Sequence, residues 1–394
     1  MTRSTSSEFD LAIACCVWPP SPRRTKRIEA ALALPINWNR FLQVIRRHRI
    51  FGLAYAALAE NPGVPDKTQK LLAVDANNLC REALRMSAEA IRLDRAMAEA
   101  GVPVAFVKGL PLARSIHGTT GLRHAKDLDL LVPSYALPEA RRLLKERGYR
   151  RIMPPERLAS HLEARWLCEN KDFEYLHPGL GIHLELHWRL FANRHLMPEV
   201  SPPGHWVTVE IQPGMGLRTL APADQLLYLC LHGAVTGWFR VKWLADISTM
   251  LARDPESLRP LVTSALRKNL LRPVAQALLL CKRLFGTELP EDIERVLEKD
   301  IAVRWLVATA LDLMTTGETS TDFTAIPFAT TRISVARFLI KADWRYLLAE
   351  MRLALSSPDD WMEVPLSPSL TFLYPFLRLP LWIARKLRQL IRTK

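Results

Sequence analysis

Asp127 and Asp129 stand one residue apart in "KDLDLLVP", a run that is otherwise apolar after its first lysine. Read as a strand, it turns Asp127, Asp129 and Leu131 to one face and Leu128, Leu130 and Val132 to the other. The apolar set can pack beneath helices, which leaves two carboxylates side by side. They repel each other unless a cation lies between them. A hard divalent ion such as Mg²⁺, held by carboxylates and substrate phosphates, suits the pair. A strand end where both acids simply reach water would look the same in isolation, so the neighbours decide. Upstream, "FVKG" closes a strand at Gly109, where the missing side chain lets bare backbone approach a ligand. A helix starting at Leu110 would aim its first amides and its dipole at a phosphate, less the amide that Pro111 lacks. Lys108 adds a mobile positive charge, and Arg123, four residues before Asp127, is placed to reach a phosphate with Lys126 as a helper.

A third acid follows in "GIHLELHWRL", where Ile182, Leu184 and Leu186 face one way and His183, Glu185 and His187 the other. Three polar groups opposite a purely apolar face suggest a site wall, with Glu185 joining Asp127 and Asp129 as a third carboxylate. Two histidines and a glutamate also form a transition-metal set, and a polar face without a role is the remaining alternative. Further on, His232 follows "LLYLCL" as a core histidine would. Asp246 lies four residues after Lys242, the spacing of an ion pair on a solvated helix face. Trp188, Trp238 and Trp243 offer rings for a base, although buried core tryptophans read the same way.

These residues need a sheet to hold them. Residues 1–95 form an N-terminal helical region, with apolar positions three and four apart from residue 22 onward and a stop at Gly101. The texture then changes to strands alternating with helices: "VPVAFVKG", "LPLARSIHG", "KDLDLLVP", "LPEARRLLKERGY", "GIHLELHWRLF". This marks an α/β core over 96–210. Helical texture returns over 211–394, where "TTGETSTDFTAIPFATTR" and "SSPDDWMEVPLSPSL" read as loops. A chain of 394 residues exceeds the roughly 250–300 at which single cores stop growing, so a division into two or three domains is expected.

The composition is 49% hydrophobic and 24% charged, with a net charge of +14. Such a balance suits a globular protein with a polyanionic partner: nucleotide phosphates, RNA or an acidic membrane surface. The six cysteines include no CxxC pair and sit mostly in apolar contexts, as reduced thiols do in a cytoplasmic protein. Glu8 and Asp10 precede the short apolar run at the start, where an export signal would carry positive charge. No run reaches the eighteen or so apolar residues of a membrane span. In the last segment, Ile383, Leu387, Leu390 and Ile391 share one helical face, and Arg385, Arg388 and Arg392 another. Such a helix over 381–394, with Lys386 and Lys394, can dock on its own protein, touch RNA, or lie on the anionic inner face of a membrane.

In order and spacing, "VKGLPLARSIH…LRHAKDLDLLV", "IHLELHWRL" and "LLYLCLHGAVTGWFRVKWLADI" resemble the bacterial nucleotidyltransferase family proteins. These form a poorly characterised branch of the DNA polymerase β type superfamily, and the resemblance covers roughly residues 40–255. Two departures are Gly109-Leu110 where the superfamily has Gly-Ser, and a longer gap from Gly109 to Asp127. The resemblance implies an α+β fold, a small mixed sheet with helices flanked by the two helical regions. It implies two Mg²⁺ ions on Asp127, Asp129 and Glu185, with Lys108, Gly109, Arg123, His187, Lys242 and Asp246 toward the nucleotide. An NTP would then give its nucleoside monophosphate to a hydroxyl of a small molecule, sugar or protein, with pyrophosphate released. Three other readings keep the same residues. A glycosyltransferase would release a nucleoside diphosphate, and template-free addition to RNA lacks a basic run interleaved with aromatics. A non-catalytic nucleotide-binding module would fit the missing Ser after Gly109.

Overall fold

Among the described residues, five helices precede the first strand: α1 (Ser7–Cys15), α2 (Pro22–Leu32), α3 (Trp38–His48), α4 (Phe51–Leu58) and α5 (Asp66–Glu99). Ser6, Ser21 and Asn37 cap the first three by accepting from the backbone N–H of Phe9, Arg24 and Arg40. The early apolar run is α1 itself, buried along nearly its whole length. This computed structural model describes residues 5–197, 202–316 and 328–392.

The middle of the chain forms a five-stranded sheet in the order β1-β2-β5-β4-β3. Its strands are β1 (Ala105–Phe106), β2 (Asp127–Leu131), β3 (Arg150–Met153), β4 (Asp172–His177) and β5 (Ile182–His187). Helix α6 (Gly109–His117) joins β1 to β2, α7 (Leu137–Glu146) joins β2 to β3, and α8 (Ser160–Glu169) joins β3 to β4. Only the β2–β5 pair is parallel, with Asp127 beside His183, Asp129 beside Glu185 and Leu131 beside His187. A hairpin, β6 (Val207–Gln212) with β7 (Met215–Thr219), runs past residue 210 into the region expected to be helical, and packs on α5, α6 and β1.

The two faces of the sheet meet different cores. Leu128, Leu130, Leu184 and Leu186 pack with Met86 and Leu93 of α5 and Leu144 of α7. Leu131, on the carboxylate face, belongs instead to a large helical core. That core joins α1–α4 to α9 (Pro222–Val235), α10 (Val241–Arg253), α11 (Leu258–Arg267) and α12 (Leu271–Phe285) through side chains such as Phe9, Phe41, Leu226, Leu244 and Leu278. Segments far apart in the chain thus build one apolar body, and the acidic sheet face looks into it. The architecture is α+β, a mixed sheet among many helices.

Beyond α12 run α13 (Glu291–Leu297), α14 (Ile301–Thr315), α15 (Ala329–Leu339), α16 (Trp344–Leu355), α17 (Pro358–Glu363) and α18 (Tyr374–Arg392). The expected loop over 356–370 instead contains α17, started by Pro358 behind a capping Ser357, and the beginning of a 3₁₀ segment at Pro368. The expected loop at 315–332 falls mainly outside the described residues, and its last four residues open α15. Arg378 and Arg385 of α18 reach the buried Asp360 of α17, and Arg385 and Arg388 reach Glu363. On the outside of α18, Phe376, Leu379, Ile383 and Leu387 are exposed. The side chains of Lys386, Leu390, Ile391 and Arg392, and Lys394 entirely, lie outside the described residues. All six cysteines are free thiols, four of them buried. Among the described residues, no helix is long and apolar enough to cross a membrane.

Candidate active site

β1 ends where its pairing with β2 runs out, the last bond being Val107 N–H to the Asp129 carbonyl at 2.9 Å. The chain then turns through Lys108 at φ 63° and Gly109 at φ 53° into α6. A left-handed residue is free for glycine but costs a side-chain-bearing residue on the order of 1–3 kcal/mol. Lys108 accepts that strain, and its Nζ lies 3.0 Å from Asp129 Oδ1. Gly109 lines a cavity of about 210 Å³ whose walls also carry Asp127, Asp129, Glu185, Lys108, Arg123 and Lys242. Two larger cavities, about 770 and 520 Å³, contain none of these residues, so size does not locate the chemistry here.

Because β2 and β5 run parallel in register, Asp129 and Glu185 are direct neighbours on one face. His187 Nε2 lies between them, 3.2 Å from Asp129 Oδ1 and 3.1 Å from Glu185 Oε2, while its Nδ1 is 3.6 Å from Asp172 Oδ2. Lys171, just before β4, lies 3.3 Å from Glu185 and also meets Asp172. Burial disfavours ionisation of Asp129, but Lys108 and His187 outweigh it and hold the carboxyl below its usual range. Glu185 is held down likewise, burial being overcome by His187 and Lys171. Burial and Lys171 would discharge His187, yet its bonds to Asp129 and Glu185 raise it. Asp127 differs. Burial and then the charges of Asp129 and Glu185 push it up, with Lys108 and Lys242 opposing.

Asp129, Glu185 and His187 form a group that can hold a metal ion, each offering a ligand atom within 4.8 Å of the others. His187 therefore stands with the metal-capable donors rather than apart from them, while Asp127 is outside that tight group. His183 is exposed and outside it as well.

Arg123 and Asp246 are both buried and meet in a bidentate pair with two 2.9 Å bonds. The pair ties the approach to β2 onto α10. The expected Lys242–Asp246 pair on a solvated face does not form: both residues are buried, and Lys242 Nζ donates to the His124 carbonyl at 3.2 Å. His232 lines the cavity between Tyr228 and Trp243, and burial keeps it from charging. Trp243 borders the cleft, Trp238 is wholly buried, and Trp188 packs on Phe173. Lys126 is exposed. Two cations at the cavity were not anticipated. Lys171 precedes "DFEYLH", whose alternation marks β4, so a strand reading there would have found it. Arg49 ends α3 inside "RRHR", where nothing in the spacing sets it apart.

A family model described as an uncharacterised nucleotidyltransferase matches residues 35–286, from just before α3 to the end of α12. Among curated proteins, none matches the chain.

Proposed function

Since the chain belongs to that nucleotidyltransferase family, we propose that it moves a nucleoside monophosphate from an NTP to a hydroxyl of an acceptor, with the polymerase β type superfamily as its wider kin. The observation that carries this reading is the in-register pairing of Asp129 with Glu185, next to Asp127 and under the Lys108–Gly109 turn. Two carboxylates and an imidazole fit a divalent cation, and the carboxylates favour Mg²⁺. Asp129 and Glu185 would hold it with His187 as a further donor, and Asp127, which lines the same cavity, would join them, with room in the proposal for two ions. When bound, the metal offsets phosphate charge and makes the acceptor hydroxyl more acidic.

The protein's own groups do the rest. The first amides of α6 and Lys108 take phosphate oxygens, and Arg123, fixed by Asp246, holds a positive charge at the cavity wall. Lys242, whose charge burial and then Arg123 and Arg49 disfavour, would add a second once a phosphate faces it. The acceptor hydroxyl loses its proton to water as its oxygen bonds to the α-phosphorus, the bond to the bridging oxygen breaks, and pyrophosphate leaves with that electron pair. Helices α9 and α10 close the cleft over the nucleotide through His232, Trp243 and Lys242. We place the enzyme in the cytoplasm, with α18 touching an anionic membrane face.

Incubation with each α-labelled NTP, Mg²⁺ and a cell extract tests the reading. Label should pass to an acceptor in step with pyrophosphate release. A binding-only reading has one observation in its favour: Lys108 and His187 already satisfy Asp129. Nucleotide binding without label transfer under any NTP would favour it.

A further inference from the structure

Helix α16 buries Tyr346 and Glu350 and leaves a stripe of apolar side chains outside. Trp344, Leu347, Leu348, Met351 and Leu355 recur three and four apart, so they share one face, and Trp344 is 69% exposed. A continuous apolar face of this kind marks an interaction site more often than an idle surface. On its edge, two turns apart, Arg345 and Arg352 line the cavity of about 520 Å³ that contains none of the carboxylates. Leu348, Ala349 and Leu353 of the same helix give that cavity apolar lining. Its other walls are residues 192–195, beyond β5, and the end of α8. Buried Asn193 fixes the first of these on α16. Its Nδ2 donates to the Tyr346 carbonyl at 3.1 Å and to Glu350 at 2.8 Å, and its Oδ1 accepts from the His195 N–H at 3.1 Å. Lys341 Nζ donates to the His195 carbonyl at 2.7 Å.

The charge in this cavity is one-sided. Arg194, Arg345 and Arg352 line it, and none makes a hydrogen bond or ion pair among the described residues. Arg345 only stacks on Trp344, its Cζ 5.4 Å from the ring centre. The one acid on the lining, Glu169, is taken by Arg165 at 3.0 Å, and burial disfavours its charge against the pull of Arg165 and Arg352. We propose that the cavity is a second ligand site, which takes a phosphate monoester carrying a long apolar chain. The arginines hold the phosphate, and the chain lies along the α16 stripe. A phosphate monoester brings about two negative charges and three oxygens, which suits several forked guanidiniums better than a carboxylate does. An inorganic ion or a sugar phosphate would leave the stripe bare. Helix α16 lies past residue 286, where the family match ends, so this site is not part of the nucleotidyltransferase core and does not depend on the transferase reading. A lipid headgroup and a free alkyl phosphate share this chemistry.

The test uses full-length protein and calorimetry with hexyl phosphate, decyl phosphate below its critical micelle concentration, and uncharged decyl maltoside. Wild type should bind decyl phosphate on the order of tenfold or more tighter than hexyl phosphate, since each fully buried methylene is worth about fourfold. Arg345→Gln with Arg352→Gln should lose on the order of tenfold or more for both phosphates. Leu348→Ser with Met351→Ser should keep hexyl phosphate and lose the gain from the longer chain. Leu379→Ser with Ile383→Ser, on α18, should bind as wild type does. The four substituted side chains of α16 are exposed, so melting temperatures should hold; if they fall, the ligand series on wild type decides alone. Equal wild-type affinity for decyl phosphate and decyl maltoside would overturn the proposal, as would equal affinity for the two chain lengths. Gln variants that fold and bind normally would also overturn it, as would loss of binding in the α18 variant. Sedimentation with phosphatidic acid vesicles, against phosphatidylcholine alone, separates the sources. Binding that the Gln pair abolishes identifies a lipid headgroup, whereas binding of monomeric decyl phosphate alone identifies a free amphiphile, and either supports the shared chemistry.

Discussion

Asp127 and Asp129 look equivalent in "DLD", but the fold treats them differently. Asp129 is buried against Lys108 and His187, whereas Asp127 has like charges as close neighbours and is held above its usual range. Asp127→Asn should therefore abolish Mg²⁺-dependent turnover while leaving apo stability equal or higher. Asp129→Asn should also abolish turnover but leave Lys108 buried without its counter-charge, costing about 3–5 kcal/mol. Activity assays beside urea denaturation check both, and full activity in the double variant would remove the metal assignment. Glu185→Gln should slow transfer strongly and keep nucleotide affinity; normal turnover would make Glu185 a polar wall only. Period-two alternation made it legible which side chains share a face on β2 and β5. It was silent on the parallel pairing that sets Asp129 beside Glu185, because register depends on contacts between strands far apart in the chain.

Between elements, the Arg123–Asp246 pair joins the turn before β2 to α10 across more than a hundred residues. Both side chains are almost fully buried, so solvent does little to screen them. Asp246→Asn should leave Arg123 uncompensated and cost about 3–5 kcal/mol, whereas Arg123→Met with Asp246→Leu should cost far less. Chemical denaturation of the two variants decides; equal losses would mean the pair merely fills space. Helices with strong periodicity, such as α3, α5 and α7, were readable from spacing, as were β2 and β5 from alternation. The hairpin of β6 and β7 and the short α17 were not. β6 does alternate, Val207, Val209 and Ile211 against Thr208, Glu210 and Gln212, but it falls where a helical region was expected; α17 has only six residues, and its order comes from α18.

Across the whole molecule, two features predict behaviour in solution. Burial, and then Lys242 and Arg49, push His124 down to about 3, and burial holds His117 at about 4. Unfolding lets both protonate near the ordinary histidine value of about 6.5, so the unfolded chain binds more protons below that pH. Stability contributed by the neutral rings is full above about 6.5 and is lost as pH falls toward 4 and 3. Melting temperature should drop over that interval, and His124→Gln should flatten part of the slope. The second feature is α18, with apolar side chains outward and Arg385 and Arg388 turned onto acids. Each free basic residue near an anionic bilayer contributes on the order of 1 kcal/mol, so paired arginines help less than their number implies. Leu379→Ser with Ile383→Ser should weaken sedimentation with anionic vesicles without loss of fold. Unchanged binding would exclude this face as the anchor.

The shared core of α1–α4 with α9–α12 also has a bearing on biosynthesis. A ribosome that has made the sheet has already released all three carboxylates, yet α1–α4 still lack the part of their burying surface that α9–α12 supply. Lys242, Asp246 and the apolar cover emerge only with α9 and α10, nearly two hundred residues after α3. Early helices must wait, with apolar side chains unsatisfied, for late ones, a long-range closure that slows folding and invites chaperone contact. A nascent chain stalled before α9 would display the acids of the site and none of its lid. In the cell, the complete site would arrive late in translation and all at once.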